Sequence, residues 1–168
     1  MSTGPERPPY GAYAVILGTF GGLLAAAGAL GRAFDRDPQC QTALDLTVLG
    51  AATFKASRTL ARDEVTSFLR EPFVRGHAHT GEDEEPAEGG MAQAVGELVT
   101  CTRCVGTWAA AGLAWTQILA PRVGRLLTWS LAAAAANDFL QAGFNSLTSK
   151  ANELEERAAE VPRIARAG

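Results

Sequence analysis

The sequence lacks the features by which an enzyme or a nucleic-acid-binding protein is usually identified. It has no phosphate-binding glycine loop, no HExxH-type metal site and no Ser/His/Asp arrangement. Its net charge is only −3 at pH 7 over 168 residues, so it offers no basic surface that would attract DNA or RNA. We therefore expect no catalytic residues and no nucleic-acid partner, and the sequence favours a non-enzymatic role.

Cysteine and histidine are also scarce. The chain has three cysteines: Cys40, Cys101 and Cys104. An odd, low number argues against a secreted protein held together by disulfides. Both histidines, His77 and His79, lie beside a run of acidic residues in a segment of low hydrophobicity. Such a solvated segment lacks a preorganised metal site, so we interpret residues 75–93 as a disordered acidic loop.

Charge is missing from long stretches of the chain. The mean hydropathy is +0.03, but residues 10–31, 104–121 and 126–147 together hold a single charged side chain, Asp138. A helix needs roughly 20 apolar residues to cross the hydrocarbon core. Residues 39–62 have a shorter apolar centre bounded by charges, and they either cross as well or lie along the surface. The sequence therefore predicts an all-α integral membrane bundle of three to four transmembrane helices.

The same pattern divides the chain into three parts. Residues 1–9 are polar and proline-rich and form a flexible tail, residues 10–148 form the membrane helical domain, and residues 149–168 form a cytoplasmic helix or tail. Basic residues are more numerous on the side that holds both ends and the middle loop, so we expect both termini in the cytoplasm. Within the first span, Gly18 and Gly22 form a small-xxx-small pattern that permits close helix packing.

Two cysteines three positions apart open the third apolar stretch. At the start of a helix Cys101 and Cys104 share one face, and the positive end of the helix favours their thiolates. Three interpretations stay open. The pair either packs as two small side chains at a helix entry, or forms a redox or disulfide pair, or supplies half of a zinc or iron site. No cofactor follows from the pair alone.

The stretch around these cysteines resembles a known family. Its matching residues are Gly96, Glu97, Leu98, Cys101, Cys104, Gly106 and Trp108. Supporting matches lie elsewhere in the chain: Arg58, Arg62, Asp63, Arg70, Pro72, Phe73, Asp138 and Gln141. The pattern is similar to that of the bacterial family catalogued as domain of unknown function 1360, although Thr102 and Arg103 stand where members usually have proline and an aromatic residue. The resemblance implies a multi-pass protein of the bacterial cell membrane, in a family with members linked to sporulation, and it implies no reaction.

Polar groups in the last apolar stretch raise a separate question. A charge at the centre of a membrane helix costs about 2.5–3.5 kcal/mol, so Asp138, with Gln141 one turn later, should have a partner. The nearest candidates are basic residues of the second segment: Lys55, Arg58 and Arg62. Three interpretations stay open: an ion pair or hydrogen-bond network that locks two helices together, part of a proton or ion pathway, or an Asp138 that simply lies near the membrane interface.

Three functional hypotheses follow. The first is a structural or assembly protein in the lipid bilayer, which binds further copies of itself or another membrane subunit through its Ala- and Gly-rich helix faces. The second is a membrane thiol protein that uses Cys101 and Cys104. The third is a small transporter or channel component that uses Asp138.

Overall fold

A computed structural model describes residues 8–36, 41–75 and 84–164, with side chains described as far as residue 158. The α-helices in these residues are α1 (Tyr10–Ala33), α2 (Ala43–Arg62), α3 (Ser67–Arg70), α4 (Gly90–Thr100), α5 (Thr102–Leu119) and α6 (Pro121–Ile164). Two short strands, β1 (Val74–Arg75) and β2 (Glu85–Pro86), pair antiparallel. Single 3₁₀ turns flank α3 at Glu64–Thr66 and Glu71–Phe73. The predicted all-α class is confirmed.

Local sequence explains where α2 begins and ends. The Oγ1 of Thr42 accepts a hydrogen bond from the N–H of Asp45 at 3.2 Å, and the carboxylate of Asp45 accepts one from the N–H of Thr42 at 2.9 Å. This capping box satisfies N–H groups that the first turn of a helix leaves without a helical partner. At the other end, Asp63 adopts an extended conformation and terminates the helix.

The core is formed by α2, α5 and α6, which pack most extensively on one another. Its most buried apolar side chains are short or of medium length: Ala52 and Ala61 of α2, Val105 and Leu113 of α5, and Ala135 of α6. Because small side chains let helix backbones approach closely, direct packing of the helices holds this core together.

The turn between α5 and α6 is tight. Pro121 begins α6 directly after Ala120, where the missing N–H of proline costs nothing. A Cβ atom on Gly124 would lie 2.4 Å from the backbone nitrogen of Gln117, so glycine is required there. Gln117 Nε2 donates to Oγ1 of the buried Thr128 at 2.8 Å, and this hydroxyl donates to the carbonyl oxygen of Gly124 at 2.7 Å. These contacts make α5 and α6 antiparallel neighbours.

Contacts along α1 fix its direction relative to α5. Tyr13, near the start of α1, donates a hydrogen bond to Glu97 of α4. Arg36, just beyond the end of α1, donates to the carbonyl oxygen of Leu119 at 2.8 Å. Because α4 directly precedes α5 and Leu119 ends it, α1 runs parallel to α5.

The bundle therefore has two ends. We call the end with the α5–α6 turn the hairpin end. It also holds the C-terminus of α1 and the N-terminus of α2, where Asp45, Gln117 and Arg125 line one cavity. The opposite end, which we call the motif end, holds the N-terminus of α1, the C-terminus of α2, all of α4 and Cys101.

One helix, α1, is long and apolar enough to be a candidate membrane span; among the described helices no other meets both criteria. Of the three to four predicted crossings, length and composition thus identify one. The charges inside α2 and α6 lower the hydropathy of those helices, and α5 has 18 residues with threonine, arginine and glutamine among them.

Two boundaries differ from those predicted. Helix α6 continues through residue 148, where we predicted a separate C-terminal part, because the segment beyond it also forms helix and is supported by an ion pair between Glu153 and Arg157. The predicted disordered loop over residues 75–93 contains β2 and the first turn of α4. Cys40 and both histidines lie outside the described residues.

Candidate functional site

The two cysteines lie where α4 ends and α5 begins. Cys101 is extended and is the N-cap of α5; its sulfur accepts a hydrogen bond from the backbone N–H of Cys104 at 3.4 Å. The two sulfur atoms are 2.8 Å apart, with the Cys104 thiol donating to the Cys101 sulfur. Both thiols are free, Cys101 half-buried and Cys104 exposed. The pair is thus preorganised by the helix start and open to solvent.

Electrostatics at the helix start favour the thiolate of Cys101. The hydrogen bond from the Cys104 thiol lowers the pKa of Cys101 below its usual value, and backbone N–H groups of Cys104 and Arg103 and the charge of Arg103 act in the same direction. Because the thiolate is the nucleophile, Cys101 is the sulfur suited to attack another sulfur. Among the described residues there is no cluster of three or more His, Cys, Asp or Glu side chains that could hold a metal ion.

Residues before the cysteines attach other segments to α4. A Cβ atom on Gly96 would lie 2.3 Å from the carbonyl oxygen of Phe73 and 3.2 Å from Pro86, so the two-stranded ladder packs directly on the helix backbone. The neighbouring Glu97 accepts hydrogen bonds from the hydroxyl of Tyr13 and, at 3.0 Å, from Gln93 Nε2. Gly96 and Glu97 therefore bring β1–β2 and α1 to the same helix.

Residues after the cysteines contact two more helices. Gly106 faces α2, with its Cβ position 3.7 Å from Ser57 and 3.9 Å from Thr53. The ring of Trp108 packs edge-to-face on Phe20 of α1, with centroids 5.0 Å apart. The stretch from residue 96 to residue 108 is consequently a docking segment that contacts α1, α2 and β1–β2.

A buried arginine holds the C-terminal end of α2. Arg70 has only 1% of its side chain exposed and forms a two-pronged ion pair with Glu84, itself 2% exposed, at 2.9 and 3.0 Å. Its Nη1 donates to the carbonyl oxygen of Leu60 at 2.8 Å and to Oγ1 of Thr66 at 3.0 Å. Arg70 thus satisfies helix-end carbonyl groups and ties the loop before α4 to α2.

Sequence reasoning treated Arg70 only as part of a family pattern and assigned Glu84 to a solvated loop. The sequence signal for this ion pair is weak: an arginine next to Pro72 and Phe73, and several acidic residues that could each bind it. Because nothing in the sequence distinguishes Glu84 from its neighbour Glu85, only the tertiary structure identifies the pair.

The polar residues of α6 have different surroundings. Asp138 forms an ion pair with Lys55 of α2 at 2.8 Å, and the adjacent rings of Phe54 and Phe139 stack at 5.2 Å. Arg58 lies over the ring of Phe54, with 5.7 Å between its guanidinium carbon and the centroid. The ion pair and the ring stack together join α2 to α6.

Other predicted site residues lie on the exposed surface. Gln141 and Arg62 are exposed. Gly18 and Gly22 are exposed as well, and a Cβ atom on either would meet nothing within 4 Å. Of the two polar residues predicted to share a partner, Asp138 contacts α2, whereas Gln141 lies on the exposed surface.

Comparisons with known proteins identify one family and two relatives. The sequence profile of the family described as "Protein of unknown function (DUF1360)" matches residues 48–144. The chain is 26% identical over 104 residues to the UPF0713 protein YngL of Bacillus subtilis (strain 168); this match covers 58% of this chain and 76% of that protein. It is 29% identical over 102 residues to the sporulation protein YjcA of the same organism; this match covers 54% of this chain and 82% of that protein. No solved structure matches.

Proposed function

The chain belongs to the DUF1360 family of proteins of unknown function, and on that premise we propose that it is a bacterial membrane protein whose α1, α2, α5 and α6 cross the bilayer and which assembles with other membrane subunits. Its role in this proposal is structural, and the docking segment maintains the shape of the bundle. An assembly role agrees with the relative that is named as a sporulation protein.

The exposed surface carries this proposal. The chain exposes 12148 Å², whereas a compact monomeric protein of 17.6 kDa exposes about 7,900 Å². Large apolar side chains are exposed on α1, α2 and α6; Leu17 is 69% exposed, Leu46 71% and Leu126 67%. Such a surface is stable when lipid or a partner protein covers it.

The position of α2 supports a spanning helix over one that lies on the surface. It packs along its length on both α5 and α6, and at about 30 Å its length equals the thickness of the hydrocarbon core. Its one central charge, Lys55, is paired with Asp138 of α6 at 2.8 Å, and this pairing reduces the cost of placing that charge in a membrane.

The distribution of basic residues supports an orientation. The described part of the hairpin end holds four: Arg32, Arg36, Arg122 and Arg125. The motif end, with the α6 segment beyond it, holds more: Arg58, Arg62, Arg70, Arg75, Arg103, Lys150 and Arg157. Under the positive-inside rule the motif end faces the cytoplasm, and an even number of crossings puts both termini there.

Fractionation and labelling test this proposal. We expect the protein to stay in the membrane pellet after carbonate extraction. In intact cells, a membrane-impermeant maleimide should label Arg122→Cys at the hairpin end in a background with the native cysteines replaced by serine. In the protein that keeps its native Cys101, the same reagent should label this cysteine only after permeabilisation. Release by carbonate, or equal labelling of both positions in intact cells, would contradict the proposal.

A second candidate function uses the cysteine pair for thiol–disulfide exchange, and the 2.8 Å separation of the two sulfurs favours it. In this reaction the Cys101 thiolate attacks a disulfide of a partner protein, and one partner sulfur leaves as a thiolate. The Cys104 sulfur, after losing its proton, then attacks Cys101 and releases the second partner sulfur. The chain loses two protons and two electrons as its disulfide forms, and the partner's disulfide is reduced to two thiols.

Redox titration tests this second candidate. In membranes equilibrated with mixtures of reduced and oxidised dithiothreitol, we expect Cys101 and Cys104 to interconvert reversibly between two alkylatable thiols and one disulfide. With Cys104→Ser, in mixtures of reduced and oxidised glutathione instead, a mixed disulfide with glutathione should accumulate on Cys101, because this monothiol cannot cyclise to release the protein thiol. Thiols that stay alkylatable across the whole titration would exclude thiol–disulfide exchange.

A further inference from the structure

Helix α6 extends well beyond the helices on which it packs. Its 44 residues span about 66 Å, whereas the 18 residues of α5 span about 27 Å. From Phe139 to Ala158 every residue is exposed. Under the proposed topology, a span of about 20 residues that begins after Arg125 ends at about residue 145, so α6 leaves the hydrocarbon core close to Phe144 and continues into water.

Apolar side chains continue along one face of this projecting segment. They recur at alternating spacings of three and four: Phe144, Leu147, Ala151, Leu154 and Ala158. Phe144 is 69% exposed, Leu147 74% and Leu154 56%. This spacing is the heptad pattern of a coiled coil, with the phenylalanine and the two alanines at position a and the two leucines at position d. We call these five residues the α6 seam.

We propose that the α6 seam binds the same seam of a second copy of this chain in a parallel two-stranded coiled coil. Charges beside the seam specify the partner and its direction. Lys150 occupies position g and Glu155 the position e that follows, so in a parallel dimer each Lys150 faces Glu155 of the second copy. In an antiparallel dimer, Lys150 would instead face Arg157, also at position g, and the like charges would repel.

The dimer rests on the proposed function in one respect. Two copies inserted in one membrane with the same orientation present their projecting helices side by side and parallel. The seam has little more than two heptads, too few for a stable coiled coil between free peptides. Anchoring in one membrane raises the effective concentration of the two segments, so the full chain should dimerise where the isolated segment does not.

Site-directed crosslinking tests the seam in membranes, using the full chain with its three native cysteines replaced by serine. Ala151→Cys and Leu154→Cys lie in the seam, whereas Asn152→Cys and Glu156→Cys lie on other faces of the same two turns. Under mild copper-catalysed oxidation we expect several-fold more covalent dimer from the two seam variants. These side chains are exposed in the single chain, so folding should be unaffected, which circular dichroism in detergent would verify.

Charge exchange identifies the register of the dimer. In the Leu154→Cys background, Lys150→Glu should reduce crosslinking, and adding Glu155→Lys should restore it. Equal crosslinking at all four positions, or stronger crosslinking at Asn152→Cys or Glu156→Cys, would overturn the proposal. The proposal would also be overturned if Gly18→Leu abolished the dimer while the charge changes had no effect. That result would show that the dimer interface lies on α1. Carbonate extraction of the same variants reports membrane insertion separately, so failure of the dimer is distinguishable from failure of the proposed topology.

Discussion

The motif end and the hairpin end of the bundle differ in the contacts that a single substitution would disturb most. At the motif end, charged and hydroxyl groups join separate segments, as in the pairs Arg70–Glu84 and Tyr13–Glu97. At the hairpin end, Gly124 lets the first turn of α6 touch the backbone of α5, its neighbour in sequence. Loss of a charge or hydroxyl group from these pairs should therefore disturb the motif end, and added size at residue 124 should disturb the hairpin end.

Removing the charge of Glu84 should have the largest effect. Glu84→Gln leaves Arg70 buried without an opposing charge, and breaking a buried ion pair in this way costs about 3–5 kcal/mol. We expect the free energy of unfolding in detergent, followed by circular dichroism, to fall by this amount. Glu85→Gln, at the exposed neighbouring position, is the matched control. Equal stability of the two variants would mean that charge does not hold the motif end.

Adding one methyl group at the hairpin end should have the next largest effect. In Gly124→Ala the new Cβ meets the backbone of Gln117 at 2.4 Å, and overpacking of this kind costs about 1–3 kcal/mol. Gly143→Ala in the same helix meets nothing within 4 Å, so it should stabilise the helix by up to about 1 kcal/mol. If the Gly124→Ala protein were as stable as the Gly143→Ala protein, the small size of residue 124 would not be what stabilises the hairpin end.

Deleting a single hydroxyl group should weaken the motif end less. Tyr13→Phe keeps the ring and removes the hydrogen bond to Glu97, whose loss should cost less than breaking a buried ion pair. Hydrogen exchange measured by mass spectrometry should show faster exchange in α1 and α4 and no change in the α5–α6 turn. Tyr10→Phe, whose hydroxyl lies on an exposed residue, should leave exchange unchanged. Faster exchange at both ends would contradict their independence.

The smallest effect concerns reactivity at the motif end and leaves stability unchanged. With Cys40→Ser, the alkylation rate of Cys101 reports its thiolate fraction. Its lowered pKa means that the thiolate forms at lower pH than in an ordinary cysteine. Cys104→Ala removes the main cause of this lowering, so the pH midpoint of Cys101 alkylation should rise. A midpoint that stays the same would exclude the thiol–thiol hydrogen bond as the cause.

The sequence predicts the helical architecture better than the contacts at the motif end. Charge-free stretches indicate the helices because each has the composition of a long apolar helix, and the cysteine spacing indicates a helix start. Spacing also narrows the partners of Asp138 to Lys55, Arg58 and Arg62 without choosing among them. The structure pairs Asp138 with Lys55, a result that depends on how α2 and α6 are aligned.

Contacts that depend on tertiary geometry were not predicted. The role of Gly124 requires knowing that α5 and α6 cross at that residue, in a chain with 18 glycines. The sequence allows a helix or a tail beyond residue 148, and the change from apolar to charged residues there does not show that this helix is continuous with the one before it. Polar side chains change the surroundings of a helix without ending it, and the segment contains no glycine or proline until Pro162.

The placement of α1 has a consequence for the order in which the protein is made. Of the described helices this one leaves the ribosome first, yet it packs chiefly on α4 and α5, and its far end is fixed to the carbonyl oxygen of Leu119. Until Leu119 has been synthesised, α1 has no complete docking surface on its own chain. The nascent protein must therefore hold α1 apart while α2 waits for its partners α5 and α6. Assembly of the bundle is consequently a late event of translation.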